Sequence, residues 1–320
     1  MITSRKLKIG DRESQVLSLL QDSALLSVSD IAKLLSLRPH VIRRCIDVLR
    51  RSGIIVPYTP INTAALGYTE CQFTLSSFLF SEKGSRQFIS TLIKNQRVCF
   101  VREHAAELAF CFWVKELSEA QDILNELLTA SIHMHDRTFS VVTSFRGFGV
   151  SCSSDMKPSG YKFQRLSRAV SIDTLDHRIL KCISEKNCQS IAEISRATGI
   201  AASTVEYRRA RLIKSGVLME PRYAVPEHAL DIHRFTVRVK ASDLVRVREQ
   251  ILKNSQQLSF IVTFVELVGP WDFEVTIFCK HSFEINAHVD RLMMGVDRGL
   301  AHVTVIPSVR IHKIDNYPFR

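Results

Sequence analysis

Arg208, Arg209 and Arg211, with Lys214 close behind, crowd into the stretch TGIAASTVEYRRARLIKSGVL, which runs from Thr198 to Leu218. Guanidinium forks hold phosphates and the edges of guanine, and Thr and Tyr hydroxyls add contacts of the same kind. A second Arg-rich run, SLRPHVIRRCIDVLRRSGII, spans Ser36 to Ile55. Each run closes on a Ser-Gly pair, Ser52-Gly53 and Ser215-Gly216, and the pairs lie 163 residues apart in a chain of 320. The same polyanion-binding chemistry is therefore written twice.

At about 100° per residue, a helix over the second run puts Val205, Arg209, Leu212 and Gly216 along one side. Thr204, Tyr207, Arg208 and Arg211 fall along another. That second arc, with Ser203 at its start and Lys214 at its end, is the candidate DNA-reading face. Arg209 lies on the apolar side, so either its long side chain snorkels or the facing is offset by one residue. In the first run Ile42, Ile46 and Leu49 form the expected buried stripe. Val41, Arg44, Cys45 and Val48 occupy the arc that matches the reading face. Its basic residues, His40, Arg43, Arg44, Arg50 and Arg51, sit round a neighbouring arc suited to phosphates. The competing explanation for both helices is a solvated basic surface.

Charge distribution favours the nucleic-acid reading. The chain carries a formal +11. Met1 to Tyr68 holds ten basic and five acidic residues, and Lys157 to Arg222 holds thirteen and six. The rest is close to neutral, with 20 basic and 21 acidic residues. Positive charge gathered on the two motif-bearing segments points to a polyanion partner.

The elements that must position these arginines repeat at the same offset. IAKLLSLRPHVIRRCIDVLRRSGII falls on ISRATGIAASTVEYRRARLIKSGVL without a gap. Each unit reads as three short helices, near 11–20, 29–35 and 39–51, and again near 174–184, 190–197 and 202–214. The Gly after each third helix suits a left-handed cap. The apolar runs IIVPY and VLMEP that follow are candidate wing strands. Downstream, the first copy reads as strand 69–79, helix 83–95, strands 97–103 and 107–115, helix 118–129 and strand 137–146. The second copy gives the same βαββαβ order from IHRFTVRVKA to AHVTVIPSVRIHKI, with Asp243 as a helix N-cap. The expected fold class is α+β: a winged helix-turn-helix and a ferredoxin-like domain, the pair repeated in tandem. The expected domains are 1–66, 67–148, 171–228 and 229–320, joined by a linker at 149–170 with turn composition.

Composition narrows the field further. The chain is 46% hydrophobic and 23% charged, ordinary for a globular protein. No run reaches the ~18–20 apolar residues of a membrane span, and the basic N-terminus lacks the apolar core of a signal peptide. The eight cysteines contain no C-x-x-C pair, and most lie in apolar runs such as LAFCFWV. Free buried thiols and a cytoplasmic location are the expectation. No Gly-rich phosphate loop, nucleophile elbow or metal-ligand spacing is present.

Taken together these residues resemble the Lrp/AsnC (feast/famine) transcriptional regulators, over most of the chain and twice. IDTLDHRILKCI (Ile172 to Ile183) looks like that family's entry helix. GIAASTVEYRRARLIKSGVL is similar to its recognition helix, with Ser203, Thr204, Val205, Arg208, Arg211, Leu212 and Gly216 on matching positions. ELVGPWDFEV (Glu266 to Val275) looks like the Gly-x-x-Asp junction of its effector domain. The resemblance implies double-stranded DNA as partner, no enzymatic activity and no cofactor. It also implies an amino acid or other small metabolite held between paired effector domains, with Gly269 and Asp272 as candidate effector residues. Usual members carry one unit and dimerise. A tandem chain implies a pseudo-dimer within the polypeptide, and two chains to supply two good reading helices. In the first copy the junction reads REHAAELAF, with His104 where Gly269 stands.

Two rivals remain in view. Siroheme decarboxylases resemble this family and share the two-domain layout. REH at Arg102 to His104 and HMHD at His133 to Asp136 are the residues that such an enzyme reading would use. The other rival is a regulator acting through protein contacts, which the apolar arc of the first copy favours.

Overall fold

The computed structural model describes residues 9–76, 82–128, 137–150, 160–164, 166–186, 188, 190–226, 229, 232–296 and 298–318. The first unit opens with α1 (Asp11–Asp22), α2 (Val28–Leu34) and α3 (Pro39–Arg51), followed by the short strand β1 (Val56–Tyr58). The second unit repeats them as α6 (Thr174–Lys186), α7 (Ile191–Thr198), α8 (Ala202–Lys214) and β7 (Arg222–Ala224). Local chemistry repeats as well. Ser27 and Asp30 form a capping box on α2, and Ser190 and Glu193 form the same box on α7. The turn into each third helix needs a left-handed residue. The second unit supplies Gly199 at φ 69°, and the first forces Ser36 to φ 53°.

Between and after these lie two βαββαβ domains. The first runs β2 (Thr69–Ser76), α4 (Glu82–Lys94), β3 (Val98–His104), β4 (Glu107–Val114), α5 (Glu119–Leu127) and β5 (Arg137–Gly147). The second runs β8 (His233–Ala241), α9 (Leu244–Gln257), β9 (Ile261–Val268), β10 (Phe273–Cys279), α10 (Ile285–Leu292) and β11 (Leu300–Ile314). A further strand, β6 (Tyr161–Gln164), pairs with β5 inside the segment expected to be a linker. No periodicity marks a four-residue strand that only extends an existing edge.

Each domain forms its own four-stranded sheet, β5-β2-β4-β3 and β11-β8-β10-β9. The sheets then join at both edges. β3 pairs with β11 from His104↔Ser308 to Phe100↔Ile314, and β5 pairs with β9 from Val141↔Val268 to Gly147↔Thr263. The result is a closed eight-stranded barrel in which neither sheet keeps a bare edge. The paired sheets of the expected pseudo-dimer are thus supplied by one chain.

The helix-turn-helix units are also exchanged. The α6–α8 core, including Ile179, Leu180, Val205 and Leu212, packs on Ile61, Leu66, Tyr68 and Trp113 of the first unit. The α1–α3 core packs on Phe278, Tyr223 and Val225 of the second. β1 and β7 pair with each other, Val56↔Ala224 to Tyr58↔Arg222. The expected wing strands are therefore one shared ribbon between the two units.

Strand alternation gives every sheet two buried faces. Phe73, Phe110, Val237 and Val275 point to the helices. Their neighbours Gln72, Thr236, Arg238 and Glu274 point into the barrel and are buried. There Arg238 donates from Nη1 and Nη2 to Glu107 at 2.9 and 2.5 Å, and from Nε to Glu274 at 3.3 Å. Gln72 donates to Glu274 at 3.1 Å, and Arg102 donates to Thr236 at 3.1 Å. Nearly every one of these bonds crosses from one domain to the other, so the polar interior is shared between the two copies.

Candidate nucleic-acid interface

The buried stripe of α8 is Val205 and Leu212, as its periodicity requires. Opposite it, Ser203, Glu206, Tyr207, Ala210, Arg211 and Lys214 are exposed, Tyr207 by 68%. Thr204 is half-buried. Arg209 is half-buried too, with its charge disfavoured first by burial, as a snorkelling side chain on the apolar flank would be.

Arg208 sits otherwise than the helical wheel suggests. Its Nη1 donates to both oxygens of Asp173 at 2.6 Å and to Asp176 at 3.1 Å. Arg211 donates from Nη2 to Asp176, whose side chain is wholly buried. These arginines fasten the third helix to the first. The arc of Thr204, Tyr207, Arg208 and Arg211 is therefore split: Tyr207 faces solvent, while Arg208 turns in towards α6. The helix keeps the facing expected from sequence, and the two carboxylates at the start of α6 draw only the Arg208 guanidinium inward. The hydrogen bond from Arg208 holds Asp173 down at about 2. A depressed carboxyl stabilises the fold above its unfolded value, and that contribution is lost as pH falls through the folded one.

The first unit shows the same plan with other residues. Cys45 and Val48 stand where Arg208 and Arg211 stand, and Glu13 stands for Asp176. Cys45 is buried with its Sγ 3.8 Å from Glu13, and burial followed by the Glu13 charge pushes the thiol up. The apolar arc of the first copy is thus its inward side. The outward side of α3 is His40, Arg43, Arg44, Asp47, Arg50 and Arg51, all exposed. Position for position, Arg43, Arg44 and Arg51 oppose Glu206, Tyr207 and Lys214 of α8. Arg50 also donates to the Tyr223 hydroxyl of the shared ribbon at 2.6 Å. The exposed excess of positive charge therefore lies on α3.

This geometry gives a test of Arg208. Arg208→Ala is expected to lower the Tm by several degrees, because Asp173 loses its guanidinium partner and Asp176 keeps only Arg211. DNA preference should change only where folding changes. A variant with wild-type Tm but altered base preference would return Arg208 to the reading face.

The candidate effector residues are both engaged in structure. Asp272 is buried, accepting from the Ala241 amide at 2.8 Å and from Lys240 Nζ at 3.0 Å. It closes the β9–β10 turn onto β8. Gly269 lies against β5 of the other copy: a Cβ there would collide with Ser140 Oγ and stand 2.8 Å from the Phe139 carbonyl. The glycine admits a neighbouring strand, and nothing in that contact requires a ligand. Gly269→Ala is expected to destabilise the chain by about 1–3 kcal/mol through overpacking, measurable by denaturant unfolding. Unchanged stability would show that β5 yields without cost.

His104 does not replace Gly269. The β3–β4 turn closes at Glu103↔Leu108, the β9–β10 turn at Glu266↔Phe273, so the second hairpin is two residues longer. His104 is instead the last residue of β3, buried and bonded to Ser308 at 3.3 Å. Burial, then the Arg102 charge, holds it down at about 3, so it is neutral at ordinary pH. Its companions Arg102 and Glu103 face opposite ways, Arg102 into the barrel and Glu103 to His312 at 2.9 Å. HMHD at 133–136 lies outside the described residues. Among the described residues no group of His, Cys, Asp and Glu is placed to hold a metal, and no helix is long and apolar enough to cross a membrane. All seven described cysteines are free, and Cys152 lies outside the described residues.

The fold and the exposed basic helix define a class: a tandem winged helix-turn-helix protein whose paired ferredoxin-like domains close on each other. Residues 172–219 match the winged helix-turn-helix DNA-binding family model. The chain is similar to curated helix-turn-helix transcriptional regulators. It is 29% identical over 147 residues to the HTH-type transcriptional regulator FL11 of Pyrococcus abyssi, covering 45% of this chain and 93% of that one. The FL11 protein of Pyrococcus furiosus is 29% identical over 145 residues, covering 44% and 92%. Each match spans about one unit of the tandem. Over the whole chain the fold is similar to the crystal structure of the siroheme decarboxylase NirDL, with a TM-score of 0.59, 13% identity, and coverage of 95% and 93%. At that identity the likeness speaks for the fold.

Proposed function

We propose that the chain is a sequence-specific DNA-binding transcriptional regulator of the Lrp/AsnC type. The observation that carries this is the outward face of α3, where His40, Arg43, Arg44, Arg50 and Arg51 are exposed on the third helix of a helix-turn-helix. Such a face neutralises phosphates and positions the protein on the duplex. On α8 the groups left free for base edges are Ser203, Tyr207 and Lys214, with Thr204 and Arg211 at the margin. The two helices play different parts, since α3 supplies most of the electrostatic attraction and α8 supplies polar contacts. Because only one of the pair is rich in groups suited to base edges, a palindromic site is read by two chains. An amino acid or other small metabolite tunes the binding, as the Lrp/AsnC resemblance implies.

Selection of bound fragments from random DNA at stated salt tests the reading. The expected result is an enriched motif whose half-site spacing matches a dimer of chains. Absence of any enrichment at low salt would overturn it.

The whole-chain likeness to a siroheme decarboxylase motivates the second reading, an enzyme on this fold. Of the residues that it would use, Arg102 and His104 are committed elsewhere, and HMHD lies outside the described residues. His104 is neutral and buried, and Arg102 lies within the barrel's hydrogen-bond network.

A further inference from the structure

β5 leaves its own sheet to run between β9 and β6, and a group of cations gathers on its outer face. Arg146 lies directly opposite Lys162 of β6 on one side and Phe264 of β9 on the other. Residues opposite each other in antiparallel strands share a face, so Arg146 and Lys162 both point to the side that α9 covers. Ser144 shares it, opposite Glu266. From α9, Arg248 reaches Glu266 with two bonds, 2.5 and 3.0 Å. Three cations thus surround one carboxylate, and that carboxylate is spent on Arg248.

Like charges directly opposite on neighbouring strands are destabilising. Here the cost is compounded, because Arg146 Nε and Ser144 Oγ are buried without a hydrogen-bond partner. Burial, then the Arg146 charge, disfavours the charged amine of Lys162. A chain that needed only a stable strand pair would not place two half-buried cations together with no anion but the carboxylate that Arg248 already holds. We propose that this face is a binding site for a small oxyanion, a carboxylate- or phosphate-bearing metabolite, held by Arg146, Lys162 and Arg248. Its two unmatched charges suit a dianion.

The site is placed to be felt by the DNA-binding units. Tyr161 precedes Lys162 and points to the other face of β6. There it packs on Tyr58 of β1, with ring centroids 6.3 Å apart, and under the Arg222 guanidinium of β7 at 4.9 Å. β1 and β7 are the ribbon that joins the two helix-turn-helix units. An anion that fixes Lys162 fixes β6, and with it the ribbon. The site differs from the Gly269–Asp272 junction, which is closed by its own contacts. The binding claim is independent of the DNA reading, and the coupling claim rests on it.

Thermal unfolding of the full chain is measured against inorganic phosphate and succinate, with sodium chloride matched for ionic strength. The expected result is a saturable rise in Tm with one or both anions, and none with chloride. Response to phosphate or to succinate identifies the class of oxyanion. Arg146→Gln and Lys162→Gln should each abolish the rise, and Arg310→Gln, on exposed strand surface, should retain it. Lys162→Gln covers the case in which Arg146→Gln fails to fold. No saturable rise, or an equal rise in folded Lys162→Gln, would overturn the site. With bound DNA fragments, saturating anion should change wild-type affinity and leave Lys162→Gln unchanged. A Tm response without that change removes the coupling alone, and absence of DNA binding leaves the Tm result to decide the site.

Discussion

Replacing Arg43, Arg44 and Arg51 by alanine is expected to weaken DNA binding about equally for all sequences. If each holds one phosphate, the slope of log affinity against log salt flattens by about 2.7. All three lie on exposed positions of α3, so the triple variant should fold with little change in Tm. The contrasting variant is Tyr207→Ala with Ser203→Ala on α8, which removes polar groups and no charge. It should leave the slope intact and relax preference at one or two base positions, at about 1–3 kcal/mol for each contact that reads a base. Binding titrations at four salt concentrations, on the selected site and on a scrambled one, separate the two effects. A triple variant with the wild-type slope would place the phosphate-holding surface elsewhere. A base-specific loss from α3 and a uniform loss from α8 would reverse the assignment.

That contrast is only half legible in the sequence. Ile42, Ile46 and Leu49 announce their burial by spacing alone, and the element order of both ferredoxin-like domains follows from alternation and helical period. Helix facing is less secure where a polar residue is held inward by a partner outside the helix. Arg208 looks like a surface residue on a helical wheel, and only its contact with Asp173 and Asp176 turns it in. A sequence signal does exist. Glu13 and Cys45 take the places of Asp176 and Arg208 at the repeat offset of 163, a joint exchange of an acid–arginine pair for an acid–thiol pair. Gly269 is the reverse case. Its residue type correctly signals a close approach, but the approaching group is Ser140 of the other copy, which no local pattern reveals. The shared ribbon β1–β7 and the strand β6 are likewise products of pairing between distant segments.

The barrel interior is the part of the molecule that pairing alone explains. Sheets that meet face to face usually bury apolar side chains. Here the copies meet through Arg238, Glu107, Glu274, Gln72 and Arg102, with side chains of Arg238 and Glu274 only 5% and 10% exposed. Burial raises Glu274, but the guanidinium of Arg238 and then that of Arg102 outweigh it, and the carboxyl lies below its ordinary value. Removing one partner from such a set costs more than the set contributes, because the charges left behind stay buried. Arg238→Met is therefore expected to destabilise the chain by about 3–5 kcal/mol at neutral pH. Arg238→Met combined with Glu107→Gln and Glu274→Gln should recover most of that loss, since no uncompensated charge remains. The pH dependence follows from the signs. In the wild type Glu274 is depressed, so its contribution is present above the unfolded value and is lost as pH falls through the folded one. In Arg238→Met the Glu274 carboxyl, left without its main cation, should be raised instead, so its penalty is relieved as it protonates. The gap between the two proteins is widest at neutral pH and narrows in acid. Denaturant unfolding across pH 4 to 8 reads this directly, with the range set about the ordinary carboxylate value. A gap independent of pH would mean that Arg238 acts by packing its aliphatic stem, and the charge account of how the two copies recognise each other would fall.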